Sequence, residues 1–260
     1  MEEEFYRDII GQLSPQLLYL TLYFEGEPYL HPGFSKFVSV ASKRRIFVAS
    51  STNGHFLTEE NARATIDSGL NRLIISVDGA DQQTYAQYRA GGSLSRVLDG
   101  IRTLTAVKRQ MRSRTPEIIL QCLMLRSNEH QFDQIRLMGK KAGADRIRFK
   151  TAQFLNLDQY HPLMPVTTRY ARYHRNVNQT LTIKHRQPNT CLRMWSSCVI
   201  TWDGRVVPCC FDKDATHSLG DLTRQSFRDI WHGKLAEDFR KQILTNRKNI
   251  DMCLNCTQSF

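Results

Sequence analysis

The chain predicts an α/β fold with a parallel sheet, followed by a small cysteine-rich module. Three observations carry that prediction. Short apolar runs alternate with amphipathic helical stretches through the first 150 residues, polar or glycine-bearing turns follow each run, and six of the seven cysteines lie beyond residue 190.

The strands come first. Leu17 to Phe24, Arg45 to Ser51, Arg72 to Val77, Ile118 to Leu125 and Arg146 to Lys150 are short and rich in β-branched or aromatic residues, as buried parallel strands are. Between them, GFSKFVSVASK places Phe34, Phe37, Val38 and Ala41 at helical spacing. TEENARATIDSG offers Thr58 as an N-cap and Gly69 as a stop. SLSRVLDGIRTLTAVKRQ repeats Leu94, Val97, Leu98, Ile101 and Leu104, and NEHQFDQIRLMGKKAG closes on Gly143. Such alternation implies right-handed crossovers between parallel strands.

The strand ends run into GEPYLHP, TNG, DG, SN and TAQ. In parallel α/β folds the loops after the strands converge on one rim, where ligands bind. Gly26, Asn53, Gly54, Asp78 and Gly79 supply tight turns and close backbone approach there. The rim is the expected small-molecule site. Residues 156–190, with Pro162, Pro165 and Pro188, read as a connector carrying one amphipathic helix near Thr168 to Val177.

Composition narrows the setting. MEEEFYRDII is no signal peptide, and no segment reaches the ~18 apolar residues of a membrane span, so a cytoplasmic chain without a membrane partner is expected. The net charge of +11 is spread out and not interleaved with aromatics, which favours a solvated surface over a nucleic-acid platform. Without an export signal, the cysteine cluster points to metal binding rather than disulfides.

In that module CVITWDGRVVPCC reads as a β-hairpin with Asp203-Gly204 as a two-residue type I′ turn. This register sets Trp202 against Arg205, Ile200 against Val207 and Cys198 against Cys209, and strand alternation sends Cys209 and Cys210 to opposite faces. TRQSFRDIWHGKLAEDFRKQIL predicts one helix with Phe227, Ile230, Trp231, Leu235, Phe239 and Ile243 along a stripe. It leads to Cys253 and Cys256, and with Cys191 and Cys209 these form C-x17-C-x43-C-x2-C. Four such thiolates suit one zinc ion or an iron–sulfur cluster. Cys198 competes with Cys191 as the first ligand, and Cys122, alone in mid-strand, is expected to be a core residue.

CLRMWSSCVITWDGRVVPCC, LGDLTRQSFRDIW and CLNC together resemble the SPASM or shorter twitch extension of radical S-adenosylmethionine (radical SAM) enzymes. FEGEPYLHP, STNG, ISVDG and YRAGGSLSRVLDGI resemble the barrel half of the same family, with Glu25 standing where its first glycine usually does. The resemblance implies a partial (β/α)6, TIM-like barrel lacking its first strand over residues 1–155, a connector over 156–190 and an auxiliary 4Fe–4S module over 191–260. It implies S-adenosylmethionine and the 4Fe–4S cluster as cofactors. Gly26, Glu27 and Pro28 would meet the methionine amino group, with Thr52 and Asn53 beside it. Ser76 and Asp78 would line the ribose or carboxylate side, and Arg89 would fork onto the carboxylate. The cluster ligands would be Cys191, Cys209, Cys253 and Cys256.

One expected feature is missing. The family's C-x3-C-x2-C loop, which binds the cluster that reduces the sulfonium, has no counterpart before Cys122. The expectation is therefore an oxidoreductase fragment, inactive as written, whose substrate is a peptide, protein, sugar or small molecule and whose full-length form takes electrons from a reductant protein. The competing expectation is a zinc-stabilised basic module that binds nucleic acid.

Overall fold

A computed structural model of the chain describes residues 1–256 apart from Leu155, Thr168 and Arg186. Contacts divide it into two compact units. The first comprises Gln16–Phe154 and the described part of Tyr160–Arg172. Its sheet is parallel, in the order β1 (Tyr19–Thr21), β2 (Phe47–Thr52), β3 (Arg72–Ser76), β4 (Glu117–Met124) and β5 (Arg146–Thr151). All five predicted strands are present, and the strand order follows the chain, as successive right-handed crossovers require.

Only β2, β3 and β4 form the buried centre, with Val48, Leu73, Ile75, Ile118, Ile119 and Leu120 all sealed. β1 and β5 are edges with one neighbour each among the described residues, so their side chains are in part exposed, and Leu18 just before β1 is 84% exposed. Against the sheet lie α2 (Phe34–Ser42), α3 (Glu59–Asp67), α5 (Leu94–Gln110) and α6 (Phe132–Ala142), with the short α4 (Gln82–Tyr88) before α5. Val97, Ile101 and Leu104 of α5 are completely buried, each contributing about 1.5–3 kcal/mol. Thr58 caps α3 by accepting the Asn61 N–H at 3.2 Å, and Gly143 ends α6 in the left-handed conformation, both as the residue types predict. Apolar spacing gave no sign of α4, which is short and polar; its N-cap Asp81 accepts the Thr84 N–H at 2.8 Å.

The second unit contains Met1–Pro15, the described residues of 155–159 and those from Tyr173 onward. Helix α1 (Glu3–Leu13) buries Tyr6, Ile9, Ile10 and Leu13. Here three sequence expectations are corrected. Residues 168–177 hold no helix among the described residues; β6 (Tyr173–Arg175) pairs antiparallel with β7 (Leu181–Ile183) across a turn at Asn176–Thr180. The helix expected after Thr223 is two, α8 (Phe227–Trp231) and α9 (Lys234–Asn246). They break at Gly233, where a Cβ would come within 2.6 Å of the Asp229 carbonyl oxygen. The break shifts the helical phase, so Leu235 is 60% exposed whereas Ala236, Phe239 and Ile243 are buried.

The third correction concerns the cysteine-bearing hairpin. β8 (Val199–Ile200) and β9 (Arg205–Val207) pair Val199 with Val207 and Ile200 with Val206, one residue away from the predicted register. A type I′ turn needs positive φ at both central residues, and of Asp203 and Gly204 only Gly204 has it, at 93°. The loop is therefore three residues long, Trp202 to Gly204, closed by the Thr201 N–H on the Arg205 carbonyl at 2.9 Å and the Gly204 N–H on the Thr201 carbonyl at 3.1 Å. Extended outward, this register opposes Cys198 to Pro208 rather than to Cys209. β9 then takes a third strand, β10 (Gly220–Asp221). Two single-turn helices, α7 (Arg193–Ser196) ahead of the hairpin and α10 (Asp251–Leu254) after α9, belong to the same unit.

Candidate functional site

Two clusters of functional side chains form, one in each unit. In the first unit, the turn after β1 is set by Gly26 at φ 81°, a conformation costly for other residues. Glu27 then caps a single 3-10 turn, Pro28–Leu30. Its carboxylate accepts the Thr52 hydroxyl at 2.7 Å through Oε1 and the Asn53 N–H at 2.7 Å through Oε2. The predicted trio of Glu27, Thr52 and Asn53 thus forms one hydrogen-bonded group at the C-terminal end of β2. Tyr29 anchors the loop from below through its hydroxyl on Thr65 Oγ1 at 2.8 Å, and burial drives its phenol pKa up. His55 Nε2 accepts the Ser93 N–H at 2.9 Å, which leaves the Nδ1–H to donate to Asn53 Oδ1 and hold that side chain in place.

At the end of β3, Ser76 is half-buried and Asp78 is 1% exposed. The Asp78 carboxylate accepts the Leu123 N–H and the Arg89 Nε–H, each at 2.6 Å. α4 delivers Arg89 to this point. Gly79 is needed for packing: a Cβ there would meet the Tyr85 backbone nitrogen at 2.5 Å. Two buried residues that sequence patterns did not single out complete the rim. Asn128 accepts the Leu125 N–H and donates to the Asp78 and Leu123 carbonyls, at 2.8, 3.0 and 2.8 Å. Gln131 accepts the Ala80 N–H at 2.9 Å and donates to Asp81. Their signal lies in the SNEHQ stretch, where polar residues sit between two apolar runs, but nothing local shows that they reach back to β3. Cys122 is fully buried and its thiol pKa is raised by burial, as expected of a core cysteine.

In the second unit, Cys191, Cys209, Cys253 and Cys256 line a single narrow cavity together with Met194, Arg247 and other residues. At about 20 Å³ it is far too small for a metabolite, whose pockets run to several hundred. The four sulfur-bearing residues come from a loop before α7, the turn after β9, and both ends of the CLNC segment. Among the described residues, no three His, Cys, Asp or Glu side chains converge tightly enough for a single ion. Each iron of a cubane takes its own thiolate. Four thiolates around one cavity are a donor set that fits such a cluster.

The cradle is tied together by a segment that looks like mere linker. Gln187 donates to the carbonyls of Cys253, Leu254 and Cys256 at 2.9, 3.0 and 2.9 Å. Asn189 donates to the Thr245 carbonyl at 2.8 Å and accepts the Arg247 N–H at 3.1 Å. The Tyr173 hydroxyl donates to Asn255 at 2.6 Å. These bonds hold both ends of the CLNC turn.

Of the remaining cysteines, neither Cys198 nor Cys210 lines the cavity. Burial pushes the Cys198 thiol up to about 12. Cys209 and Cys210 lie beyond the end of β9, so their different surroundings come from the turn and not from strand alternation. The neighbouring Cys209 and the Arg193 guanidinium, 3.8 Å from the Cys210 sulfur, lower the Cys210 thiol. Cys210 and burial raise the Cys209 thiol.

Comparison with known proteins places this geometry in context. The profile of the Radical SAM superfamily matches residues 2–136, and that of SPASM, an iron–sulfur cluster-binding domain, matches residues 191–257. A tungsten-containing aldehyde ferredoxin oxidoreductase cofactor-modifying protein of Pyrococcus furiosus is 24% identical, covering 89% of this chain and 71% of its own length. An AdoMet-dependent heme synthase of Methanosarcina barkeri is 24% identical over 92% of this chain and 74% of its own. Among solved structures, BtrN in complex with AdoMet and 2-DOIA has a TM-score of 0.56 at 18% identity, covering 99% of this chain and 80% of its own. Native anSMEcpe with bound AdoMet has a TM-score of 0.65 at 13% identity, covering 96% and 76%. The partial-barrel α/β fold is shared with both, and no finding favours the nucleic-acid reading. Among the described residues no helix is long and apolar enough to cross a membrane. With the parallel sheet matching one profile and the cysteine-lined unit the other, this chain belongs to the radical SAM superfamily and carries a SPASM-type C-terminal domain, a family whose cofactors are S-adenosylmethionine and iron–sulfur clusters.

Proposed function

We propose that the chain is the sulfonium-binding barrel and auxiliary-cluster portion of a radical SAM oxidoreductase that acts in the cytoplasm. The observation that carries this reading is the gathering of Cys191, Cys209, Cys253 and Cys256 around one cavity from positions far apart in sequence. These four would hold a 4Fe–4S cluster, which supplies one-electron chemistry or an open coordination position when bound. At the rim, Gly26, Glu27 and Pro28 would receive the methionine amino group of S-adenosylmethionine. Glu27 is a carboxylate suited to an ammonium, and Thr52 and Asn53 hold it in one orientation. Ser76 would face the ribose side. Asp78 is buried and already bonded to Arg89, so its part is to aim the Arg89 guanidinium. With Nε occupied, Arg89 would meet the ligand carboxylate through its terminal nitrogens.

The chain has no cysteine before Cys122, so these 260 residues bind the sulfonium without cleaving it. Relatives are named for small-molecule and cofactor modification, and two matched structures hold a peptide, so the substrate class of the full-length enzyme is a peptide or small molecule, with a reductant protein as electron source.

Anaerobic reconstitution with iron and sulfide tests the reading. The expected product is brown, with about four irons per chain. Cys209→Ala and Cys253→Ala should lose most of the iron, while Cys210→Ala and Cys198→Ala should keep it. S-adenosylmethionine should bind, and Glu27→Ala should weaken that binding tenfold or more. A colourless wild type, or equal iron loss from Cys209→Ala and Cys210→Ala, would reject the ligand set. Production of deoxyadenosine with dithionite would reject the claim that the chain binds without cleaving.

A further inference from the structure

Arg247 is 1% exposed, the bulkiest of the fully buried side chains among the described residues, and it lines the same cavity as the four cysteines. Its Nη1 donates to the Thr190 carbonyl at 2.9 Å and lies 3.4 Å from that of Pro188, immediately ahead of Cys191. Its backbone N–H is held by Asn189. On the other side Arg247 shares the cavity wall with Cys253. One buried cation therefore holds the chain entering Cys191 and lines the cavity that Cys253 also lines.

A guanidinium is costly to bury, by several kcal/mol, unless negative charge accompanies it. Four thiolates around an iron–sulfur core carry net negative charge, and reduction adds one unit more. A fixed cation beside that core stabilises the reduced form more than the oxidised form, because the attraction grows with the charge it faces and the surroundings screen it weakly.

We propose that Arg247 is a built-in counter-ion of the auxiliary cluster, positioning its Cys191 side and raising its reduction potential. The inference rests on the cluster site proposed above. Arg247 is neither a ligand nor a catalytic residue; it acts through the thiolates.

The test is a redox titration of the reconstituted 260-residue chain, reading the cluster's absorbance and EPR signal against dithionite with mediators. Arg247→Met and Arg247→Gln should shift the one-electron equilibrium at least tenfold toward the oxidised cluster, which is a fall of about 59 mV or more. Arg247→Lys retains the charge and should stay within threefold of wild type. A role confined to shape would lower iron content while leaving the midpoint of the remaining clusters in place. An unchanged midpoint in Arg247→Met or Arg247→Gln therefore overturns the inference. If neither neutral variant holds a cluster, Arg247→Lys decides: retention of cluster and midpoint supports the counter-ion role, and loss of the cluster there overturns it. A wild type that takes up no iron would instead sink the cluster reading itself.

Discussion

Replacing Arg89 by Met should expose how strongly the rim depends on one buried charge. Asp78 is 1% exposed, and its two oxygens accept only the Leu123 N–H and the Arg89 Nε–H among the bonds seen, both at 2.6 Å. Methionine fills much of the arginine's volume but leaves the carboxylate sealed from water with a single donor. Removing one partner of a buried pair costs about 3–5 kcal/mol. Arg89 is itself 31% exposed, so solvent screening lowers the expectation to about 2–3 kcal/mol. Asp78→Asn removes the charge instead, retains an acceptor for Leu123, and loses a charge-assisted bond worth about 1.5–3 kcal/mol. The double variant contains no stranded charge, so its cost should fall short of the sum by about 1–2 kcal/mol. Urea unfolding of all four proteins, followed by far-UV circular dichroism at neutral pH, measures that coupling. Single variants within 0.5 kcal/mol of wild type, or strict additivity, would refute the view that Asp78 and Arg89 work as a unit. S-adenosylmethionine binding should fall in both single variants, and less in Asp78→Asn, where the guanidinium survives.

Gly54→Ala should destabilise by about 2–4 kcal/mol, read as a lower Tm, since its φ is 83° and the new methyl would lie 2.7 Å from Val97 and 3.0 Å from Ile75. Gly26→Ala is the control: φ is 81° but nothing lies within 4 Å, so about 1 kcal/mol is expected, and equal losses from both would refute the packing account. The Asp81 carboxylate is held below its ordinary value, first by the Thr84 N–H and then by the Gln131 and Thr84 side chains. A depressed folded value means that its stabilisation is present above pH ~4 and lost as pH falls further. Asp81→Asn, which still caps α4, should thus be less stable than wild type by about 0.5–1 kcal/mol at pH 6, with the gap closing toward pH 2–3; a gap independent of pH would refute the charge effect.

How much of this was legible in the sequence varies with the range of the interaction. Runs such as RLIISV and IILQCLML declare strands, and Thr58, Gly69 and Gly143 mark helix ends, because those signals depend on neighbours a few residues away. The four cavity cysteines were also legible, since few residue types besides cysteine suit soft metals and these stand apart from the rest of the chain. Glu27 with Thr52 and Asn53 could be grouped because parallel strands bring their C-terminal ends together.

Tertiary structure decided the remainder. Asp203-Gly204 suits two hairpin loops, and which one forms depends on how β9 is held between β8 and β10, so the register moved by one residue. That shift detached Cys198 from Cys209. Gly233 breaks a stripe whose spacing alone favours a single helix. Nothing local separates Arg247 from the exposed arginines around it, or shows Gln187 reaching the CLNC carbonyls, because their burial comes from segments more than fifty residues away in sequence. The sequence by itself determined the strands, the helix ends and the chemistry available to this protein. Packing decided which charges are buried, and burial is what makes a charge count.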